Sequence, residues 1–149
     1  MSDLPKNDNI YKKAPPGIGP GGTPYRVIVV DDSRTARQML KQILLSVNFD
    51  VIDEFDNGGA AVEKLRNRDP RVDFLFVDYE MPVMDGLEVV KQLRGRLEKC
   101  RIIMVTSIGE REKIQQLIQL GINGYIKKPY DRDTVIKKLT ELCGPGKTV

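Results

Sequence analysis

The sequence predicts an α/β fold: one doubly wound parallel sheet with helices on both faces. Short runs of apolar, β-branched residues are typical of strands buried on both faces, and five of them occur after residue 24. Each run is followed by a stretch in which apolar residues recur at steps of three and four, the pattern of an amphipathic helix. Strands that alternate with helices in this way are joined by right-handed crossovers and lie parallel in one sheet.

The first part of this pattern contains two strands and two helices. Residues 26–30 read Arg-Val-Ile-Val-Val, which indicates a buried strand. Residues 33–47 form a predicted helix because their apolar side chains share one face. Residues 51–55 form the second strand, and the Asp-Asn-Gly-Gly sequence of residues 56–59 is typical of a turn. Residues 60–68 form the second predicted helix, with its small and branched apolar residues facing inward.

The second part repeats the pattern three times. Residues 72–77 form the third predicted strand, and residues 86–97 form the helix after it. Residues 101–105 form the fourth strand. The helix over residues 110–120 is predicted to end at Gly121, because glycine readily adopts the left-handed conformation that closes a helix. The last strand and helix cover residues 123–127 and 131–142.

Residues 1–24 differ in composition from the rest and are predicted to be a flexible tail, whereas residues 25–149 form one domain. The tail holds five prolines and four glycines and has no apolar periodicity. Two alternatives are open: the tail is dispensable, or it docks on the domain or on a partner. Its Gly-x-Gly-x-x-Gly stretch, residues 17–22, precedes the first strand instead of following one, so we assign it no nucleotide-binding role.

Charge and composition argue against several classes of protein. The net charge is only +3, from 24 basic and 21 acidic residues spread along the chain, so we expect no nucleic-acid partner. The chain has no run of 18 apolar residues and no apolar signal segment, so we expect neither membrane insertion nor export. Cys100 and Cys143 form no Cys-x-x-Cys motif, which favours a reduced, cytoplasmic protein.

The chain contains no histidine. This excludes a Ser-His-Asp triad, a histidine general base and a histidine-rich metal site. It also excludes that the chain itself supplies a phosphorylated histidine. Any chemistry must therefore come from carboxylates, lysine, hydroxyl groups or a bound ion.

Polar side chains follow four of the five predicted strands at their carboxyl ends. Asp31 and Asp32 follow the first strand, Asp78 the third, Thr106 the fourth and Lys128 the fifth. In open α/β sheets the carboxyl ends of parallel strands meet at one edge, where ligands bind. A single polar residue at a strand end is usually a cap or turn former. Their joint occurrence at four strand ends predicts a shared site.

Three carboxylates within a few ångströms repel one another. At about 4 Å and an effective dielectric constant of about 20, each pair costs about 4 kcal/mol. Either some of the acids stay protonated or a cation binds. Because the available ligands are oxygens, we expect a hard cation, Mg²⁺ or Mn²⁺.

The segments around these residues resemble the receiver domain of bacterial response regulators. They read Val-Asp-Asp-Ser at 30–33, Val-Asp-Tyr-Glu-Met-Pro-Val-Met-Asp-Gly at 77–86, Val-Thr-Ser at 105–107 and Tyr-Ile-Lys-Lys-Pro at 125–129. The resemblance covers about residues 26–143. It implies a flavodoxin-like (βα)5 fold with strand order 2-1-3-4-5, for which CheY is a standard example. No output domain follows, so the likeness is to stand-alone, CheY-like chemotaxis regulators.

The resemblance implies a role for each residue at the strand ends. Asp78 is the expected phosphoacceptor. Asp32 and Asp78, with the backbone carbonyl of Glu80, are the expected direct ligands of Mg²⁺, with Mn²⁺ as an alternative, and Asp31 would act through water. Lys128 would pair with the carboxylate and then with the phosphoryl oxygens.

Two further residues would form a switch. Thr106 would donate its hydroxyl to the phosphoryl group, and Tyr125 would turn inward when Thr106 moves. The exposed surface of the last two strands and helices would then present the change to a partner. The Lys128–Pro129 bond is a candidate cis peptide.

The implied function is that of a signalling protein and not of an enzyme that turns over a substrate. A histidine kinase of the CheA type would phosphorylate the chain in a Mg²⁺-dependent reaction. A flagellar motor switch protein or another phosphorylation-dependent partner would bind the product, and a phosphatase would reset it. We expect a cytoplasmic monomer. An alternative is a phosphorelay intermediate that passes the phosphoryl group to another histidine protein.

Two other classes of protein are alternatives to this interpretation. Phosphatases of the haloacid dehalogenase class use the same chemical groups, but in them the nucleophile follows the first strand and the acidic pair comes late. Here the acidic pair comes first. A degenerate receiver that binds no metal would be an interaction module, but all five key residue types are present here.

Glu80 and Ile108 depart from the pattern of the family, in which Asn is frequent at the first position and a polar residue at the second. We expect that neither side chain positions a hydrolytic water, so spontaneous loss of the phosphoryl group is expected to be slow. The Glu80 carboxylate is expected to crowd the ion, to hinder an attacking water or to be solvated in its loop.

Overall fold

The computed structural model describes residues 15–67 and 71–143. Residues 1–14 of the predicted tail, residue 68 of the second predicted helix, residues 69–70 and residues 144–149 of the predicted domain lie outside this range. The described part contains one five-stranded parallel sheet, made of β1 (Arg26–Val30), β2 (Asp50–Phe55), β3 (Phe74–Asp78), β4 (Arg101–Thr106) and β5 (Gly124–Lys127). The strand order is β2-β1-β3-β4-β5, which confirms the predicted doubly wound topology.

Five helices alternate with the strands in the described residues. They are α1 (Arg34–Ser46), α2 (Gly58–Asn67), α3 (Gly86–Leu93), α4 (Arg111–Gln119) and α5 (Arg132–Cys143). Helix α1 is capped by Ser33, whose Oγ accepts a hydrogen bond from Ala36 N at 3.2 Å. Gly121, after α4, has a φ of +101°, as the predicted helix end requires. Within the described parts, no helix combines the length and the apolar character needed to cross a membrane.

Side chains of the central strands alternate between two buried layers. On β3, Phe74 and Phe76 pack into one layer, and Leu75 and Val77 pack into the other. Helices α1 and α5 close the first layer, and helices α2, α3 and α4 close the second. Because helices cover both faces of the sheet, the central strands β1, β3 and β4 are buried and largely apolar on both sides, as their sequences predict.

Two helix boundaries differ from the prediction by more than one residue. Helix α2 begins at Gly58, inside the predicted turn, because Asn57 Oδ1 accepts a hydrogen bond from Ala60 N at 2.7 Å and caps the helix there. Helix α3 ends at Leu93, four residues earlier than predicted. The guanidinium of Arg94 donates to three carbonyl oxygens of the following turn, which stabilises a backbone that folds back instead of continuing the helix.

Residues 15–24, which we call the N-terminal hairpin, lie against the domain although the sequence predicts a flexible tail. Gly17 N donates to Val47 O at 2.8 Å, and Tyr25 N donates to Gly17 O at 2.7 Å. An antiparallel bridge closes the hairpin itself. These contacts place it at the end of α1 and favour the docking alternative for this segment. For residues 1–14, flexibility stays a prediction.

The docking of the N-terminal hairpin predicts a strong effect of a side chain at Gly17. A Cβ atom there would lie 2.2 Å from Phe49 N, so Gly17→Ala must displace the hairpin. We predict faster amide hydrogen exchange in residues 15–24 and a loss of about 1–3 kcal/mol in the free energy of unfolding.

Gly21→Ala is the matched control. A Cβ atom on Gly21 meets its nearest neighbour at 3.8 Å, so this variant is expected to leave both exchange and stability unchanged. Equal exchange of the hairpin in the Gly17→Ala and Gly21→Ala proteins would contradict the docked arrangement.

Candidate functional site

Three acidic residues meet at the carboxyl edge of the sheet. Asp31 and Asp32 follow β1, Asp78 ends β3, and these two strands are neighbours. One carboxylate oxygen from each of the three lies within 4.8 Å of the other two. Asp31 and Asp78 are buried, Asp78 with only 2% of its surface exposed, and Asp32 is exposed. The structure thus brings together the three carboxylates expected from the strand ends, and we call them the acidic cluster.

Lys128 provides a positive charge at the acidic cluster. It follows β5, and its Nζ lies 3.1 Å from Asp78 Oδ1 and 3.4 Å from Asp31 Oδ2. The backbone N of Lys128 donates to Thr106 O at 2.8 Å. The Lys128–Pro129 peptide bond is cis, as predicted. One ammonium group therefore contacts two of the three carboxylates.

Burial dominates the ionisation of Asp78. Desolvation, and after it the charge of Asp31, raises the pKa of Asp78 from 3.8 to about 7, although Lys128 opposes this shift. Burial lowers the pKa of Lys128, but the charges of Asp31 and Asp78 outweigh that effect and hold its pKa above the usual value. Lys128 thus stays charged, and it does not offset the full cost of burying an ionised Asp78.

Local structure orients the acidic cluster. Ser33 N donates to Asp31 Oδ1 at 2.8 Å and fixes that carboxylate at the start of α1. Helix α3 approaches Asp78 closely, since a Cβ atom on Gly86 would lie 2.7 Å from the Asp78 carbonyl oxygen. The side chain of Asp85 caps this helix. The Asp-Gly pair at the start of α3 therefore holds the helix against the strand that ends in Asp78.

Thr106, at the end of β4, is completely buried and contacts Glu80. Its hydroxyl accepts a hydrogen bond from Ile108 N at 2.9 Å and donates one to Glu80 Oε2 at 2.9 Å. Ser107 donates to the same carboxylate from Oγ at 3.1 Å and from N at 3.4 Å. The Glu80 carboxylate is therefore neither simply solvated nor a member of the acidic cluster. The sequence does not predict this contact, because it depends on the conformations of two separate loops.

Tyr125 is exposed, whereas Ile108 is partly buried. Tyr125, on β5, is 38% exposed, and the ammonium group of Lys138 lies 5.9 Å from its ring centroid. The expected inward turn of Tyr125 stays a prediction. Ile108 is partly buried and packs against the layer that α2, α3 and α4 close. That its side chain positions no hydrolytic water stays a prediction. Slow loss of a phosphoryl group stays a prediction as well.

The acidic cluster fits a hard divalent cation. Among residues 15–67 and 71–143, it is the one group of three or more acidic, cysteine or histidine side chains close enough to share an ion. Carboxylate oxygens without nitrogen or sulfur ligands suit Mg²⁺ or Mn²⁺. The participation of the Glu80 carbonyl oxygen stays a prediction.

Comparison with known sequences identifies similar proteins over most of the chain. A family model described as the response regulator receiver domain matches residues 27–140. The chain is 33% identical to the chemotaxis protein CheY of Treponema pallidum over 133 residues, which cover 89% of this chain and 92% of that protein. It is 36% identical to the chemotaxis protein CheY of Halobacterium salinarum over 117 residues, which cover 78% of this chain and 95% of that protein.

Comparison with solved structures gives the same result for the fold. A CheX–CheY–BeF3–Mg complex from Borrelia burgdorferi contains a chain with a TM-score of 0.81 and 31% identity, covering 87% of this chain and 98% of that chain. The chemotaxis protein CheY4 of Vibrio cholerae has a TM-score of 0.70 and 31% identity, covering 79% of this chain and 98% of that chain. The matched region of the family model includes the whole acidic cluster and Lys128.

The raised pKa of Asp78 predicts that the folded chain loses stability as pH rises. The unfolded chain ionises this carboxyl group near pH 3.8, whereas the folded chain holds the proton to about pH 7. This stabilising contribution is complete below pH 3.8 and is lost by the time pH has passed 7, with a total on the order of 4 kcal/mol. Asp78→Asn cannot ionise, so without divalent cations it should be more stable than the wild type at pH 8 but not at pH 4.

Urea unfolding in the presence of a chelator measures this difference at both pH values. Asp56→Asn, which changes an exposed carboxylate beyond the end of β2, is the control and should show no gain at pH 8. Equal stability of the wild type and Asp78→Asn at pH 8 would show that burial of the Asp78 charge is not costly.

Proposed function

The chain belongs to the response regulator receiver family. We propose that it accepts a phosphoryl group from a histidine kinase on Asp78. The observation that supports this proposal most directly is the environment of Asp78. Its carboxylate is buried, lies 3.1 Å from the ammonium group of Lys128 and shares the acidic cluster with two further carboxylates. This combination provides a nucleophile, an ammonium group that neutralises phosphoryl charge and carboxylates that can hold a cation.

The proposed reaction is transfer of a phosphoryl group from nitrogen to oxygen. An Asp78 carboxylate oxygen attacks the phosphorus atom of a phosphohistidine, a P–O bond forms, the P–N bond breaks, and the imidazole nitrogen takes the electron pair. The donor histidine belongs to another protein, because this chain has none. Asp31, Asp32 and Asp78, with the Glu80 carbonyl oxygen, would hold Mg²⁺, which supplies positive charge for the phosphoryl oxygens.

Lys128 and Thr106 are proposed to bind the transferred group. Lys128 already contacts the Asp78 carboxylate, so it reaches the phosphoryl oxygens with little movement. Thr106 ends the strand next to the one that ends in Asp78, and its hydroxyl would move to the phosphoryl group. Tyr125 would then turn inward from its exposed position. The exposed surface of the last two strands and helices, β4, β5, α4 and α5, would present the change to a partner.

The proposed partners follow from the likeness to proteins that are named for chemotaxis. We propose a histidine kinase of the CheA type as the phosphoryl donor. We propose a flagellar motor switch protein as the partner that binds the phosphorylated chain. A phosphatase that resets the signal is a further proposed partner; the related CheY chain of Borrelia burgdorferi is in a complex with CheX, BeF3 and Mg. We propose that the chain acts as a cytoplasmic monomer.

Incubation with acetyl phosphate and Mg²⁺ tests the phosphoacceptor directly. Intact mass spectrometry should detect one added phosphoryl group on the wild type and on Asp56→Asn, which alters an exposed carboxylate outside the acidic cluster. Asp78→Asn should gain none, and omission of Mg²⁺ should reduce the wild-type yield at least about tenfold. Equal phosphorylation of Asp78→Asn and the wild type would assign the acceptor to another residue.

A further inference from the structure

The Glu80 carboxylate occupies hydrogen-bond donors that a phosphoryl group on Asp78 would need. It accepts a hydrogen bond from Thr106 Oγ1 at 2.9 Å, and from Ser107 through Oγ at 3.1 Å and N at 3.4 Å. All three donors lie at the end of β4, next to the strand that ends in Asp78. We call this set of three hydrogen bonds the Glu80 latch.

A hydroxyl group has one proton, so Thr106 can donate to one acceptor at a time. The Thr106 oxygen accepts a hydrogen bond from Ile108 N at 2.9 Å. Only the hydroxyl proton can bind an anion. In the latched arrangement Thr106 donates that proton in a hydrogen bond to Glu80 Oε2. Donation to a phosphoryl oxygen therefore requires that the hydrogen bond between Thr106 and Glu80 be broken.

Charge adds to this competition. A phosphoryl group brings about two negative charges to Asp78. The Glu80 charge is close enough to contribute to the raised pKa of Asp78, behind burial and the charge of Asp31. Repulsion between the phosphoryl group and Glu80 would thus favour departure of the carboxylate. Because Glu80 is exposed, it can rotate into solvent without opening the core.

Resting on the proposed function, we propose that Glu80 is a positioning residue that competes with the phosphoryl group for Thr106 and Ser107. In the unphosphorylated chain the latch holds the Thr106 loop in its resting arrangement. Phosphorylation of Asp78 displaces Glu80, frees the Thr106 hydroxyl and allows the loop to move. Glu80 thereby sets the ratio of resting to active conformers and the affinity of the site for a phosphoryl group.

Binding of beryllofluoride in saturating Mg²⁺ measures this competition without a kinase. Glu80→Ala removes both the charge and the acceptor, whereas Glu80→Gln removes the charge and keeps a carbonyl oxygen that can accept from Thr106. We expect beryllofluoride to bind Glu80→Ala about three- to tenfold more tightly than the wild type, with Glu80→Gln in between. Glu110→Gln, an exposed charge paired with Lys113, should stay within about twofold of the wild type.

The Thr106 methyl resonance gives a second readout that general stability does not change. In the protein without beryllofluoride, Glu80→Ala should move this resonance part of the way toward its position in the beryllofluoride-bound wild type. Ser107→Ala, which removes one donor of the latch, should move it in the same direction by less. On the Glu80→Ala background, Ser107→Ala should add little.

The outcomes separate the latch from the function on which it rests. Equal affinities of Glu80→Ala and Glu80→Gln would reduce the role of Glu80 to its charge and overturn the hydrogen-bond competition. Equal or weaker binding by Glu80→Ala than by the wild type would overturn it as well. If the wild type itself bound no beryllofluoride in Mg²⁺, the proposed phosphoacceptor function would fail, and the latch with it.

Discussion

The surplus of negative charge at the carboxyl edge of the sheet is the constraint on which the rest of the site depends. The fold places Asp31, Asp32 and Asp78 within a few ångströms, and the described residues set one ammonium group, that of Lys128, against them. With all four groups ionised, two negative charges stay uncompensated in a partly buried place, where repulsion is much stronger than in water. The site must therefore hold a proton or take up a cation.

These two solutions have different chemical consequences. A proton on Asp78, whose pKa burial raises to about 7, neutralises the site but occupies the oxygen that would act as nucleophile. A divalent cation neutralises the site and leaves Asp78 ionised. The same positive charges can then bind phosphoryl oxygens. In the proposed function, the charge surplus links metal binding to phosphoryl transfer and to the proposed movement of Thr106. The Glu80 latch adds a further negative group that a bound phosphoryl anion must displace.

The sequence predicts those contacts of the site that follow from the position of a residue at the end of a strand. Asp78 and Lys128 were predicted to meet because strand ends in a parallel sheet share an edge, and the apolar strands fixed that sheet. Contacts between two loops could not be predicted in this way. The hydrogen bonds of Glu80 and the packing of Gly17 at the end of α1 depend on backbone conformations that no periodic pattern records. The early end of α3 is similar, since it depends on where the Arg94 side chain finds its acceptors.

Calorimetric titration of the purified chain with MgCl2 near pH 8 tests the central claim most directly, because it measures whether the acidic cluster takes up a cation. We expect binding in the millimolar range or tighter for the wild type. We expect a loss of about tenfold or more in affinity for Asp32→Asn, which removes the exposed carboxylate of the cluster with little effect on the core. No detectable binding by the wild type, or equal binding by both proteins, would contradict this claim.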